Sequence, residues 1–367
     1  MRINLLDPGL LSSAGHHLDL DLKLARYLTE TGNSVRIYAN SRVEDDVLSA
    51  FEPFCEAEAL FQRGPYWRPE TIDPFAGELF GYSQHSKLLH RDLASTTEAD
   101  VWLWPSITAV QLRACAGISG KALVSGCAHN PVNAPYLASS QMWWRHALVS
   151  ANRSDMRLRL GTLDRIQCED LSPLTSQYNI KLFPIFKDAQ PNVTQKKKLK
   201  KIGFFGHQRA GEKGRDIIVA MIPELLAKGY ELVVQDSSES MRSRDARLGP
   251  KVLGYVDDLT TEISKCDLVV LPYAPEDYRK RTSGVLWDAL ACGVPAVVPA
   301  DTVPADLVER TGGGILFSSY NMAGVVKAVD DAQFNFPAIA KAAHATAINW
   351  SNHAGLDKFA EAMLAKT

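Results

Sequence analysis

The sequence predicts an α/β protein made of two Rossmann-like, doubly wound domains. Three observations lead there: a length of 367 residues, two separate series of alternating apolar strands and amphipathic helices, and a polar stretch between them. A chain this long exceeds one ordinary core and fits two. Strand–helix alternation is the pattern of parallel sheets covered on both faces.

The first series opens with an apolar run at 3–6 and a loop of small residues at 7–15. Leu18, Leu22, Ala25 and Leu28 then recur at three- and four-residue spacing, the mark of a helix with one buried face. Gly32 caps that helix and 35–39 reads as the next strand, completing a βαβ unit. Further strands are expected at 101–104, 122–125 and 182–185, while the Pro-, Gly- and aromatic-rich stretch 61–82 reads as a long irregular loop.

The polar run 188–201, which includes five lysines, reads as a solvated linker flank. Beyond it, strands are expected at 202–205, 232–235, 268–271, 296–298 and 314–317, with helices at 217–228, from Asp257-Asp258 to about Ser264, and at 285–291. The tail 336–366 reads as helical throughout. The expected domains are therefore 1–185, a linker at 186–200, a second domain at 201–350, and a C-terminal helix at 351–367 placed to pack back on the first.

Composition narrows the function. Hydrophobic residues make up 46% and charged residues 22%, as in a soluble globular protein. The balance of 40 basic against 42 acidic residues gives a net charge of -2, without the basic excess of a nucleic-acid binder. Cys55, Cys115, Cys127, Cys168, Cys266 and Cys292 form no C-x-x-C pair, which argues against zinc fingers and disulfide frameworks and for a reducing, cytoplasmic setting. Neither a signal peptide nor a run of about 20 apolar residues is present, so membrane contact is expected to be peripheral at most.

Open α/β sheets bind ligands beyond the carboxyl ends of their strands, and two such sheets would leave a cleft between them. Two stretches of the second half fit that position. The turn GHQRAGEKGRD, residues 206–216, sets Arg209, Lys213 and Arg215 ahead of a helix N-terminus, where free N–H groups and the helix dipole favour anions. It reads either as a diphosphate site or as a hydrophilic surface loop. It matches neither G-x-x-x-x-G-K-[ST] nor G-x-G-x-x-G, which counts against an ATPase and a dehydrogenase.

The second stretch is LPYAPEDYRKRTSGVLWDALACGVPAVVPAD, residues 271–301. Thr282, Ser283 and Gly284 open a helix and can offer backbone N–H groups to phosphate. Asp288, one turn inside, is either a carboxylate for a ribose diol or one that serves the helix dipole.

The order strand, loop, S-G, helix with an acid, A-x-G-x-P, strand resembles the nucleotide-binding signature of glycosyltransferase family 4, the group 1 glycosyl transferases. GHQRAGEKG is similar to that family's G-R-x-x-x-K-G turn, and PADLVERTGGGILF to the segment after its signature helix. SSAGHHLDLDLKLARYLTETGNSVRIYA resembles the family's glycine-rich entry loop and first helix, and ALVSGCAHNP the strand that ends at its acceptor-side histidine. The resemblance covers nearly the whole chain and is weakest from 44 to 99.

What it implies is a GT-B fold, two Rossmann-like domains facing each other across a cleft, and a hexosyltransferase-like enzyme. The donor would be a nucleoside-diphosphate sugar and the acceptor a glycan or lipid-linked glycan of cell-surface polysaccharide biosynthesis, with retention of configuration and no metal or other cofactor. Gly206, Arg209, Lys213, Arg281, Thr282, Ser283, Gly284, Val285 and Asp288 would bind the donor. Arg209 and Lys213 would neutralise the departing diphosphate, His129 would lie near the transferring sugar, and Gly15 and His16 would face the acceptor. His129 reads equally as a histidine satisfying strand-end carbonyls. The family's two glutamates are replaced here by the shorter Asp288 and by Lys280 or Arg281.

Two rivals share these features: a nucleotide-sugar epimerase of the same fold, and a catalytically silent nucleotide-binding partner in a glycan assembly complex. The absence of a clear carboxylate set for epimerisation favours transfer. Two aromatic clusters bear on the acceptor: Tyr66-Trp67 with Phe75, Phe80 and Tyr82, and Met142-Trp143-Trp144-Arg145, which is expected in a core rather than a membrane interface.

Overall fold

The computed structural model describes residues 1–13, 17–65, 74–129, 140–206, 211–236, 249–254, 256, 258–352 and 354–365, without the side chains of 74–80. The chain divides into two compact units, Met1–Pro184 with Leu356–Thr367, and Ile185–Gly355.

The first unit is a seven-stranded parallel sheet of β1 (Arg2–Leu6), β2 (Ser34–Asn40), β3 (Glu56–Phe61), β4 (Val101–Trp104), β5 (Leu123–Ala128), β6 (Arg157–Thr162) and β7 (Lys181–Leu182). Its order is β3-β2-β1-β4-β5-β6-β7. Ile3 stands between Val35 and Val101, so the chain reverses its direction of travel across the sheet between β1 and β4.

Around the sheet run α1 (His17–Glu30), the short α2 (Asp45–Ser49), α3 (Pro74–Leu93), α4 (Ala109–Cys115), α5 (Ser140–Arg153) and α6 (Arg165–Leu171). α3, α4 and α5 pack side by side, closing a core that includes Trp104, Leu89, Leu112 and Trp144. α4 is fixed by a capping box, in which Thr108 accepts from the Gln111 N–H and Gln111 reaches back to the Thr108 N–H.

The second unit is a six-stranded parallel sheet of β8 (Lys201–Phe204), β9 (Glu231–Gln235), β10 (Lys251–Leu253), β11 (Leu268–Val270), β12 (Ala296–Pro299) and β13 (Gly314–Phe317), in the order β10-β9-β8-β11-β12-β13. Its helices are α7 (Arg215–Ala227), α8 (Leu259–Ser264), α9 (Pro275–Tyr278), α10 (Gly284–Ala291), α11 (Val303–Thr311), α12 (Met322–Phe334) and α13 (Phe336–Ile348). α7 and α12 cover one face through Ile218, Met221, Val325 and Val329. α10 lies against α8 and α13. Both sheets are thus doubly wound.

Two expectations need correction. The stretch 61–82 is not one long loop, because α3 begins at Pro74, a residue suited to a helix's first turn. The tail is not one helix. α13 ends at Ile348, Trp350–Asn352 forms a 3-10 turn, and Gly355 takes a φ of 130° before α14 (Leu356–Leu364) starts afresh. α14 belongs to the first unit, packing on α1 and β5, with Ser125 Oγ donating to the Met363 carbonyl at 2.6 Å. The Cys127 thiol and the other five are free.

Candidate functional site

The second sheet changes winding direction between β8 and β11, the two strands that occupy its middle. Loops leaving the carboxyl ends of such neighbours diverge and open a crevice, the usual ligand position in a doubly wound sheet. Here those loops are the turn that begins at Gly206 and the segment from Leu271 to Ser283.

The two loops are fastened to each other. The Ala274 N–H donates to the Glu212 carbonyl at 3.0 Å. Gly214 has a φ of 64°, and a Cβ on it would stand 1.9 Å from the Pro272 carbonyl oxygen, so only glycine allows this approach. Tyr320 Oη donates to the Gly211 carbonyl at 2.7 Å. The Gly206 N–H in turn donates to Gln235 Oε1 at 2.8 Å, tying the start of the turn to β9.

This bracing brings Lys213 into the crevice. Its Nζ lies where a Cβ on Gly206 would be 3.1 Å from it and 3.4 Å from Val285 Cγ2. The ammonium also stands 5.9 Å from the centre of the Tyr273 ring. Tyr273 stacks on Tyr278 at 3.9 Å and shares a 3.3 Å hydrogen bond with Ser283 Oγ. Burial pushes the Tyr273 phenol up to about 12, so it stays neutral.

Ser283 is the N-cap of α10, its Oγ accepting from the Leu286 N–H at 3.3 Å. Gly284 follows, exposed, with nothing within 4 Å of the position a Cβ would take. An open helix N-terminus therefore faces the same hollow as the Lys213 ammonium, an arrangement suited to an anion. Thr282 is half-buried just ahead of the cap.

Asp288 is 6% exposed and ion-paired with Lys187, Nζ to Oδ1 3.1 Å. Lys187 reaches it from the start of the second unit, where Phe186 meets Trp287 edge-on at 5.6 Å and Trp350 Nε1 donates to the Lys187 carbonyl at 2.8 Å. The sequence reading missed Lys187, Gln235, Tyr273 and Glu212. Arg281, expected on the donor phosphates, is paired with Glu212 at 2.7 Å and lies 5.4 Å over the Tyr278 ring. Its guanidinium braces the two loops together, so its contact with an anion needs that pair to be shared or broken.

Arg209, Gly15 and His16 lie outside the described residues, as do Tyr66, Trp67 and the side chains of Phe75 and Phe80. His129 directly follows β5, half-buried, in the first unit. Trp143 and Trp144 are buried as expected, at 7% and 4% exposure. Among the described residues no three His, Cys, Asp or Glu side chains stand together as a metal site, and no helix is long and apolar enough to cross a membrane.

The family model for glycosyl transferases group 1 matches residues 199–333, the span that carries β8, the Gly206 turn, α10 and Asp288. That match covers most of the second unit, which is thus similar to the group 1 glycosyl transferases. Solved structures extend the likeness to the whole chain. HepE of Anabaena in complex with UDP is similar at 15% identity and a TM-score of 0.66, over 98% of each chain. HepE in complex with UDP-glucose gives 16% and 0.64, over 99% of this chain and 98% of that one. Sucrose-phosphate synthase from Thermosynechococcus elongatus gives 13% and 0.67, over 98% and 96%. Identities this low carry the fold alone, and the fold is GT-B. A comparison with curated proteins found no match. The group 1 match on a GT-B fold supports a transferase.

Proposed function

We propose that this glycosyltransferase moves a sugar from a nucleoside-diphosphate sugar to a glycan or lipid-linked acceptor, with the donor diphosphate held in the β8/β11 crevice. The observation that carries this reading is the convergence of Lys213 Nζ, Gly206 and the open N-terminus of α10. Breaking the sugar–phosphate bond leaves negative charge on the departing diphosphate, while the sugar carbon becomes oxocarbenium-like. Preorganised donors are worth most where such charge develops, and Lys213 with the α10 N–H groups is suited to that place.

In this reading Gly206, Thr282, Ser283, Gly284 and Val285 shape the phosphate site, with Arg209 as a second cation. Asp288, oriented by Lys187, accepts from the ribose hydroxyls. His129, Gly15 and His16 serve the acceptor side. Side-chain and backbone donors stabilise the leaving group. The absence of a metal requirement, retention of configuration and a place in cell-surface polysaccharide assembly are what the resemblance to family 4 implies. Support for a uridine nucleotide comes from the HepE complexes with UDP and UDP-glucose.

Incubating the protein with UDP-, GDP- and ADP-sugars and a panel of glycan acceptors tests this. Release of the nucleoside diphosphate matched by a new glycoside is the expected result. Interconversion of the donor sugar would indicate an epimerase, and binding without turnover a silent partner; either would overturn the proposal.

A further inference from the structure

A second hollow, of about 530 Å³, lies wholly within the first unit, between α3, α4 and α5. Its wall carries Lys87 and Arg91 from α3 and Arg113 from α4. Among the described residues none of these three cations forms an ion pair and no carboxylate lines the hollow. Lysine and arginine offer donors and no acceptor, so a wall of this make-up is complementary to an anion.

The floor is aromatic and held still. Tyr82 and Trp143 stack at 4.4 Å with their planes 13° apart, and Tyr82 Oη lies 3.0 Å from His146 Nδ1. The volume falls in the range of pockets for whole organic ligands and exceeds what a lone inorganic ion fills. Beyond the lining, α5 exposes two apolar side chains. Met142 and Val149, 47% and 42% exposed, flank His146 at four- and three-residue spacing on α5 and so share its face.

We propose that this hollow binds a phosphate-bearing amphiphile, its phosphate on Lys87, Arg91 and Arg113 and its apolar body along Trp143 and the Met142–Val149 edge. The site is distinct from the β8/β11 crevice, since every described residue that lines it belongs to the other unit. The phosphate has two sources with the same chemistry, a soluble phosphate ester and a phospholipid headgroup.

Two titrations separate them: pyrophosphate in solution, and phosphatidylcholine vesicles with and without phosphatidylglycerol. Wild type is expected to bind saturably in at least one. Lys87→Gln/Arg113→Gln is expected to bind that ligand at least about tenfold more weakly, each lost charge-assisted bond sufficing for such a factor. Arg91→Gln, at an exposed position, should weaken it in the same direction. The melting temperature of each variant checks that the fold persists. Vesicle binding that Lys87→Gln/Arg113→Gln weakens assigns the phosphate to a membrane lipid, and pyrophosphate binding that it weakens to a soluble ester; pyrophosphate binding that survives it belongs to the β8/β11 crevice. Lys197→Gln/Lys198→Gln, which removes the same charge from exposed positions of the other unit, should change nothing. No binding in either titration, binding unchanged in Lys87→Gln/Arg113→Gln, or equal weakening by that control pair overturns the proposal.

Discussion

The Lys187 ammonium stands 3.1 Å from the Asp288 carboxylate, joining the first residues of the second unit to the helix that opens the candidate donor site. The carboxylate is nearly buried, so loss of the lysine leaves it in a poorly solvated place without its counter-charge. Lys187→Met should cost about 1–3 kcal/mol of stability. Asp288→Asn combined with it should cost less than the two single changes added together. Thermal unfolding of the three variants gives the coupling, and strict additivity would show that the pair contributes nothing.

Gly214 and Gly211 separate conformational strain from steric contact. Both have positive φ, 64° and 73°, but a Cβ would meet the Pro272 carbonyl at Gly214 and nothing within 4 Å at Gly211. Gly211→Ala should cost only the left-handed conformation, about 1–2 kcal/mol. Gly214→Ala must also push the two crevice loops apart, so it should cost more and abolish nucleotide binding. Unfolding curves and nucleotide titrations of both variants check this. Equal effects would mean that the loop contact at Pro272 is unimportant.

Much of this architecture is legible from residues alone. β1, β4, β8, β11 and β12 are short apolar runs because both faces of a parallel sheet are covered. Ser283 and Asp258 announce α10 and α8 as caps. β3 reads EAEALF and β6 RLRLGT, where charges interrupt the apolar run, so neither announces itself as a strand. α3 was hidden by glycines, aromatics and Pro74, which look loop-like until tertiary packing decides. In the site, the glycines and Lys213 were visible as a spacing. Lys187 was not, because it meets Asp288 from about a hundred residues away and only the fold brings them together. The pairing of Arg281 with Glu212 is hidden in the same way, because Glu212 lies on a different loop.

Asp21 should make stability fall as pH rises. It is wholly buried on α1 and is pushed well above its ordinary carboxyl value of 3.8, first by burial and then by the Asp7 charge. Burial acts on Asp7 too, yet Asp7 is held below its ordinary value, by His17 at 2.6 Å and by the Gly9 N–H at 2.7 Å. A carboxyl that binds its proton more tightly in the folded state lends stability that is complete below its unfolded value and lost above it. His17, raised above 6.5 by Asp7 against the opposing effect of burial, acts in the same sense at higher pH. Asp21→Asn removes the carboxyl titration, so its advantage over wild type should grow as pH rises from about 5 to 8. Melting temperatures across that range check the trend. A constant difference would mean that Asp21 ionises normally.

The central claim, that the β8/β11 crevice holds the donor diphosphate, is tested most directly by calorimetric titration of UDP, GDP and ADP without metal, into wild type and Lys213→Ala. One nucleotide should bind wild type, and the variant should bind it at least about tenfold more weakly, as expected for one charge-assisted contact to phosphate. If none of the three binds wild type, or the variant binds as tightly, the diphosphate does not sit where Lys213, Gly206 and α10 meet.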